Sequence, residues 1–458
     1  MPDDWKNANI TPIFKKGLKS SVGNYRPISL TSVICKLMES LLKDAILDHL
    51  VHNEVLRSSQ HGFMPGKSCL TNLLEYVNKL TELIDNGHSV DVLYLDFAKA
   101  FDKVPHCRLL AKLRSAGVDG KIAAWIQEWL RDRKQRVVLN GKESSWESVL
   151  SGVPQGSVLG PILFIIFIND IDAVTSVSSF TSKFADDTKS AMIVENEEDQ
   201  AVMQDNINSL SDWAEKWQMQ FNSDKCHVMH LGRNNRGFSY TMGGHAPAGT
   251  VLGISEQEKD LGVIIHNSLK PSKQCAAAAK KAHAVLGQMA RSLTYRTSET
   301  WLPLFVMYVR HHLEYCVQAW APWTAADEAL IESVQKRAVR MTSGLSSATY
   351  EDKLREVGMM SLAERRQRGD MIEVWKLMNG HEKVDVTQIL SLAGQHCERS
   401  TRSVANLGLV QTAASLDLRK NFFSNRVVTP WNRLDPVIKH AQTLDAFKAS
   451  YDKIVLGI

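Results

Sequence analysis

Asp91-Val92-Leu93-Tyr94-Leu95-Asp96 and Lys183-Phe184-Ala185-Asp186-Asp187 are the stretches on which the fold turns. In the first, four apolar residues in a row end in a carboxylate, the pattern of a buried strand with a polar tip. The second opens a strand–turn–strand pattern running from Lys183 to Val194, with Asp186-Asp187 at its tip. Between them lies the loop Ser151 to Gly160, with three glycines and one proline. A carboxylate behind a buried strand needs a partner, because an unpaired buried charge is costly. Asp-Asp alone is ordinary turn chemistry. The order is more telling: a strand-end aspartate, a glycine-rich loop, then a pair of aspartates. That order suits phosphoryl transfer, in which two Mg²⁺ ions about 3.5–4 Å apart neutralise phosphate charge and activate a hydroxyl. Mg²⁺ prefers carboxylate and phosphate oxygens, and Mn²⁺ is an expected substitute.

Outward from these stretches, apolar spacing predicts a helix over Ser32 to Val51. Its apolar face would carry Ile34, Leu37, Met38, Leu41, Leu42, Ala45 and Ile46. Further helices are expected over Leu70 to Ile84, Arg108 to Ala116, Lys121 to Leu130 and Pro161 to about Asp172. Another is marked by Met203, Ile207, Leu210, Trp213 and Trp217. Gln135 to Asn140 and Trp146 to Leu150 read as a hairpin joined by Asn140-Gly141. Lys259 to Ile265 reads as a short strand pair. From Cys275 onward the pattern is mostly helical, with breaks at Gly344 and from Gly394 to Ala405. The fold class this predicts is α+β, followed by a mainly helical C-terminal region.

The 458 residues allow two to four domains, and 44% hydrophobic with 23% charged residues is ordinary for a globular chain. A net charge of +4 is compatible with a nucleic-acid partner without demanding one. The seven cysteines are scattered and form no Cys-x-x-Cys pair, which argues against a disulfide framework and for a reducing compartment. Met1-Pro2-Asp3-Asp4-Trp5-Lys6 is not a signal peptide, and the apolar run Pro161 to Ile168 is too short to span a bilayer. An intracellular location, cytoplasmic or nuclear, with no membrane partner, is the expectation. His311-His312 with Cys316, Cys226 with His227 and His230, and His396-Cys397 lack four ligands at zinc-like spacing.

At the motifs the chain resembles the reverse transcriptases of non-LTR retrotransposons, the jockey-like and vertebrate repeat-element group. Asn24-Tyr25-Arg26-Pro27-Ile28-Ser29-Leu30 looks like the first fingers motif of that family, and Gln60-His61-Gly62-Phe63-Met64-Pro65-Gly66-Lys67-Ser68 like the second. Tyr94 to Asp102 resembles the motif of the first catalytic aspartate, Ser151 to Pro161 the nucleotide-positioning loop, and Phe184-Ala185-Asp186-Asp187 the two-aspartate signature. Asn222 to Cys226 fits the next motif and Leu261-Gly262 the primer grip.

The resemblance implies a right-hand polymerase of fingers, palm and thumb. Fingers and palm would occupy residues 1–245, primer grip and helical thumb 246–345, and a helical C-terminal region 346–458. It implies that Asp96, Asp186 and the Phe97 carbonyl bind the metals and that Asp187 completes the acidic cluster. Phe101 would be the steric gate against a 2′-hydroxyl, although a plain core aromatic would read the same. Gln155 and Gly156 would lie against nucleotide and template. Arg26 and Lys67 would hold the triphosphate, unless they are solvated loop cations, and Lys225 would protonate pyrophosphate. Asp102 reads as a structural cap. Basic helical stretches at Lys270 to Arg291, Gln335 to Arg340 and Glu364 to Arg368 are either phosphate contacts or solvated faces. Trp301, Trp320, Trp323, Trp375 and Trp431 are expected in the core.

The activity implied is RNA-directed DNA polymerisation, with an RNA template, a DNA primer and dNTPs as partners, and an endonuclease supplied elsewhere. An intron-encoded or telomere-type polymerase is a second enzyme reading, and a non-catalytic nucleic-acid-binding remnant is the alternative from another class.

Overall fold

A computed structural model describes residues 1–243, 249–345, 349–395 and 407–457. The boundaries expected at 245 and 346, most of the break from Gly394 to Ala405, and His396-Cys397 lie outside these residues. The chain forms two compact units: Met1–Met64, Asp91–Val228 and Arg236–Ile254 make the first, and Pro65–Val90, Met229–Asn235 and Ser255–Ile458 the second. Among the described residues no helix is long and apolar enough to cross a membrane.

Two sheets carry most of the first unit's strands. In one, β1 (Asn7–Phe14) pairs antiparallel with β2 (Tyr25–Leu30) and parallel with β4 (Lys134–Leu139). β4 also pairs with β5 (Lys142–Glu143) and β6 (Glu147–Ser148). Asn140 and Gly141 both have positive φ, 49° and 74°, so the Asn-Gly turn joins β4 to β5, as its chemistry requires. The expected partner Trp146 to Leu150 contributes only β6. β1 is not anticipated by its sequence, because only Ala8 and Ile10 face inward and Pro12 interrupts the pattern.

The other sheet has the order β12 (Gly253–Ile254), β9 (His227–Leu231), β3 (Val90–Leu95), β8 (Asp187–Ile193), β7 (Phe180–Phe184). β3 is the central strand and is buried along its length except for Tyr94, which explains its apolar run. Its one charge, Asp91, is fully buried and accepts a hydrogen bond from the Tyr240 hydroxyl. A ribbon of β10 (Thr241–Met242) and β11 (Thr250–Val251) completes the strands of this unit.

The helix Leu159–Phe167 runs through the core, and only Pro161 in it is not fully buried. The helix Glu197–Trp217 buries Met203, Ile207, Leu210, Trp213 and Ala214 at helical spacing. It starts where the Asn196 side chain accepts the Asp199 N–H, and its first turn carries three acidic residues that suit the helix dipole. The helix Val33–His52 lies where expected but presents another face. It buries Cys35, Glu39, Ile46 and Leu50, while Ile34, Leu37 and Leu41 are about two-thirds exposed, at 65%, 66% and 68%. The reason is Glu39: its carboxylate accepts the Val158 and Leu159 N–H groups, at 2.7 and 3.2 Å, at the start of the helix Leu159–Phe167. Those donors have no intrahelical partner, so the acid-bearing face turns inward.

The second unit is mainly helical. The helix Cys69–Asp85, begun by a Ser68–Thr71 capping box, packs Leu73, Leu74 and Val77 into one core with the C-terminal helices. That core takes in the small-residue face of the helix Ser272–Ser292, Ala278, Ala279 and Ala282, and Trp301, Trp320, Trp375 and Trp431. Trp323 is half-buried. Arg419 is buried and donates to the Asn78 carbonyl, the Asn78 side chain and Thr81. A hairpin of β13 (Gln257–Asp260) and β14 (Val263–His266) lies on this unit.

Candidate active site

The β7–β8 hairpin closes with Phe184 opposite Asp187, so Ala185 and Asp186 form its tip. Ala185 is buried and has φ +56°, a left-handed conformation that is uncommon outside glycine. Burial pushes the Asp186 carboxyl above the ordinary aspartate range, and the Asp96 charge adds to that push. Its own backbone N–H, Arg26 and Lys15 pull the other way.

Asp96 stands one residue beyond β3. Its Oδ2 lies 2.5 Å from Lys225 Nζ, and the Asn222 N–H donates to its carbonyl at 2.8 Å. The next residue, Phe97, is buried, and its ring stacks on Phe221 at 4.4 Å. Asp187 is exposed at the start of β8. Among the described residues no three His, Cys, Asp or Glu side chains are grouped to hold one metal ion. Asp96 thus lies within electrostatic reach of Asp186, but the three aspartates are not gathered into one such cluster among the described residues.

The loop before the helix Leu159–Phe167 is fixed on two sides. The Gly152 and Val153 N–H groups donate to the carbonyls of Val104 and Phe101, each at 2.8 Å. Gln155 Nε2 donates to Asp102 Oδ1 at 2.8 Å, and the Gln155 carbonyl accepts the Ser29 N–H at 2.7 Å. Gly156 has φ +112°, and a Cβ there would stand 2.6 Å from the Ser29 carbonyl oxygen, so no side chain fits. Phe101 is half-buried; its ring stacks on Phe164 at 4.3 Å and meets the Phe63 ring edge-on at 6.3 Å.

Arg26 is exposed on β2 and within electrostatic reach of Asp186. Lys67, Leu261 and Gly262 belong to the second unit. Burial lowers the Lys67 ammonium pKa, with Glu75 opposing. Leu261 and Gly262 form the positive-φ tip between β13 and β14, and the Tyr315 hydroxyl donates to the Leu261 carbonyl at 2.8 Å.

Three contributors escape sequence reasoning. Lys15 carries no local signal beyond a paired lysine. Asp102 reads as a cap, whereas its carboxylate holds Gln155. Gln60 sits inside a quoted motif, yet only the structure shows its side chain on the aspartate turn.

The family described as reverse transcriptase (RNA-dependent DNA polymerase) matches residues 13–271, more than half of the chain. The chain belongs to that family. Its fold is accordingly the right-hand polymerase class, α+β with a helical C-terminal region, as the sequence led one to expect. Among curated proteins it is similar to the RNA-directed DNA polymerase from mobile element jockey of Drosophila melanogaster, 31% identical over 235 residues, covering 49% of this chain and 25% of that one. It is also similar to the probable RNA-directed DNA polymerase from transposon BS of the same species, 25% identical over 352 residues, covering 74% of this chain and 38% of that one. The chain therefore spans between a quarter and two-fifths of these relatives' length. Among solved structures, apo telomerase from Candida tropicalis aligns with 12% identity and a TM-score of 0.43, over 74% of this chain and 58% of that one.

Proposed function

We propose that this chain is the RNA-directed DNA polymerase of a non-LTR retrotransposon. It extends a DNA 3′-hydroxyl on an RNA template with dNTPs and releases pyrophosphate. The observation that carries the reading is the Asp96–Asp186 pair. Asp186 sits on a hairpin tip, partly removed from water, with a second carboxylate raising its pKa further. Like charges gathered this way favour a cation. An ammonium already lies against Asp96, that of Lys225. The donors are hard oxygens, which fits Mg²⁺ and accommodates Mn²⁺.

Asp96 and Asp186, with the Phe97 carbonyl and Asp187, would hold two such ions. When bound they supply charge neutralisation on the phosphates and a more acidic attacking hydroxyl. The chain's own residues do the rest. Arg26 and Lys67 bind the triphosphate, Arg26 adding positive charge beside the aspartates. Gln155, fixed by Asp102, and Gly156, with its bare backbone, lie against the nucleotide and template. The Phe101 ring, backed by Phe164, closes the space a 2′-hydroxyl would need. Lys225 gives its proton to the departing pyrophosphate, and Leu261-Gly262 grips the primer. Residues 246–345 act as thumb, and an endonuclease is supplied elsewhere.

Purified protein offered an oligo(dT) primer on poly(rA) with dTTP and Mg²⁺ tests this. Extension well above an Asp186→Ala control is expected. Primer–template binding without extension would replace the proposal with a non-catalytic remnant that keeps the fold.

A further inference from the structure

We infer that Gln60 is a positioning residue: it fixes the Ala185–Asp186 turn from outside the hairpin that carries it. Gln60 is buried, and its Oε1 accepts two N–H groups, from Gly62 at 2.8 Å and from Ala185 at 2.9 Å. The second bond satisfies the backbone donor of the strained residue immediately before Asp186. The surrounding backbone repeats the attachment. The Lys183 N–H donates to the Ser59 carbonyl at 2.8 Å, and the His61 N–H donates to the Lys183 carbonyl at 2.9 Å. Gln60 and Lys183 form a parallel bridge, so residues 59–61 extend the free edge of β7.

Gly62 is pressed onto the turn itself. A Cβ at this position would stand 2.3 Å from the Ala185 nitrogen and 2.9 Å from the Phe184 carbonyl carbon. Backbone held in a sparsely populated region persists only where its surroundings over-determine it. Here the surroundings are the Gln60 amide, the Gly62 backbone and the β7 edge. The Gln-His-Gly segment thereby acquires a role separate from contact with nucleotide or template: it is the abutment of the aspartate turn.

The catalytic consequence rests on the polymerase reading; the structural one does not. A displacement of about 1 Å in a reacting group can cost on the order of 10²-fold in rate. Gln60→Leu removes the acceptor, so the Ala185 amide loses its bond. Hydrogen–deuterium exchange of the Ala185 amide in the full chain, without nucleotide, is expected to be at least about tenfold faster than in the wild type. In primer extension, kcat is expected to fall on the order of 10²-fold while KM for dTTP stays within about threefold.

Asn206→Ala is the control for loss of a buried amide elsewhere in the unit, since among the described residues the Asn206 side chain bonds Ser176, Ser179 and Met192. It should change neither readout comparably. Gln60→Glu keeps an acceptor of the same shape and should preserve Ala185 protection, which serves if Gln60→Leu does not fold. Unchanged Ala185 exchange in Gln60→Leu, lost protection in Gln60→Glu, a defect confined to KM, or an equal kcat loss in Asn206→Ala would each overturn the inference. A wild-type protein that extends no primer overturns the polymerase reading instead, and the exchange result still decides whether Gln60 holds the turn.

Discussion

Asp186 pays for its position in ionisation. Its folded pKa stands above the ordinary value, so its contribution to stability is complete below about pH 3.9, the unfolded value, and is lost as pH rises through the folded pKa. In metal-free buffer, Asp186→Asn should therefore melt higher than wild type at pH 7, and the difference should vanish at acidic pH. Added Mg²⁺ should raise the wild-type melting temperature and leave Asp186→Asn nearly unmoved. Thermal scans at several pH values, with and without the ion, check the sign; a variant less stable at pH 7 would contradict it. Phe101 poses a different question. Its stacking on Phe164 is ordinary core packing, and only function separates packing from gating. Phe101→Ala should increase ribonucleotide incorporation by at least about tenfold, measured as alkali-sensitive product; this takes the space restored by the ring's removal as worth about 1.4 kcal/mol. Unchanged discrimination would leave Phe101 a packing residue alone.

At the scale of elements, the helix Val33–His52 separates hydropathy from burial. Exposed Leu37 should tolerate Ser at under about 0.5 kcal/mol. Glu39→Ala should cost about 2–5 kcal/mol, because it strands the Val158 and Leu159 N–H groups and uncovers buried Arg133. Urea unfolding of the two variants checks this inversion. The same helix shows where the sequence was legible. Helix positions followed from spacing, and β3 from its apolar run, because those elements bury most of their apolar residues. The inward face of Val33–His52 did not follow, since a helix start 120 residues away decides it. β1 escaped because half of it is solvent-facing and it carries Pro12. The order of Asp96, the glycine loop and Asp186 could be read along the chain. The Gln60–Ala185 and Asp102–Gln155 bonds could not, because they join segments 125 and 53 residues apart.

For the whole molecule, a polymerase needs a nucleic-acid duplex as partner, and a net charge of only +4 places the attraction in local basic faces. Primer–template affinity should then fall steeply with salt, roughly 10³-fold between 50 and 200 mM for about six phosphate contacts. Fluorescence anisotropy across that range measures it, and a flat response would count against backbone tracking. Polymerase chemistry shows itself in the copying of a defined RNA. A DNA primer annealed to an RNA of mixed sequence is incubated with the protein, four dNTPs and Mg²⁺, and the product is sequenced. The expected product is DNA complementary to the template, with Asp96→Ala and Asp186→Ala each reducing its yield by about 10³-fold or more. Product that ignores the template, or that survives loss of either aspartate, would contradict the polymerase reading.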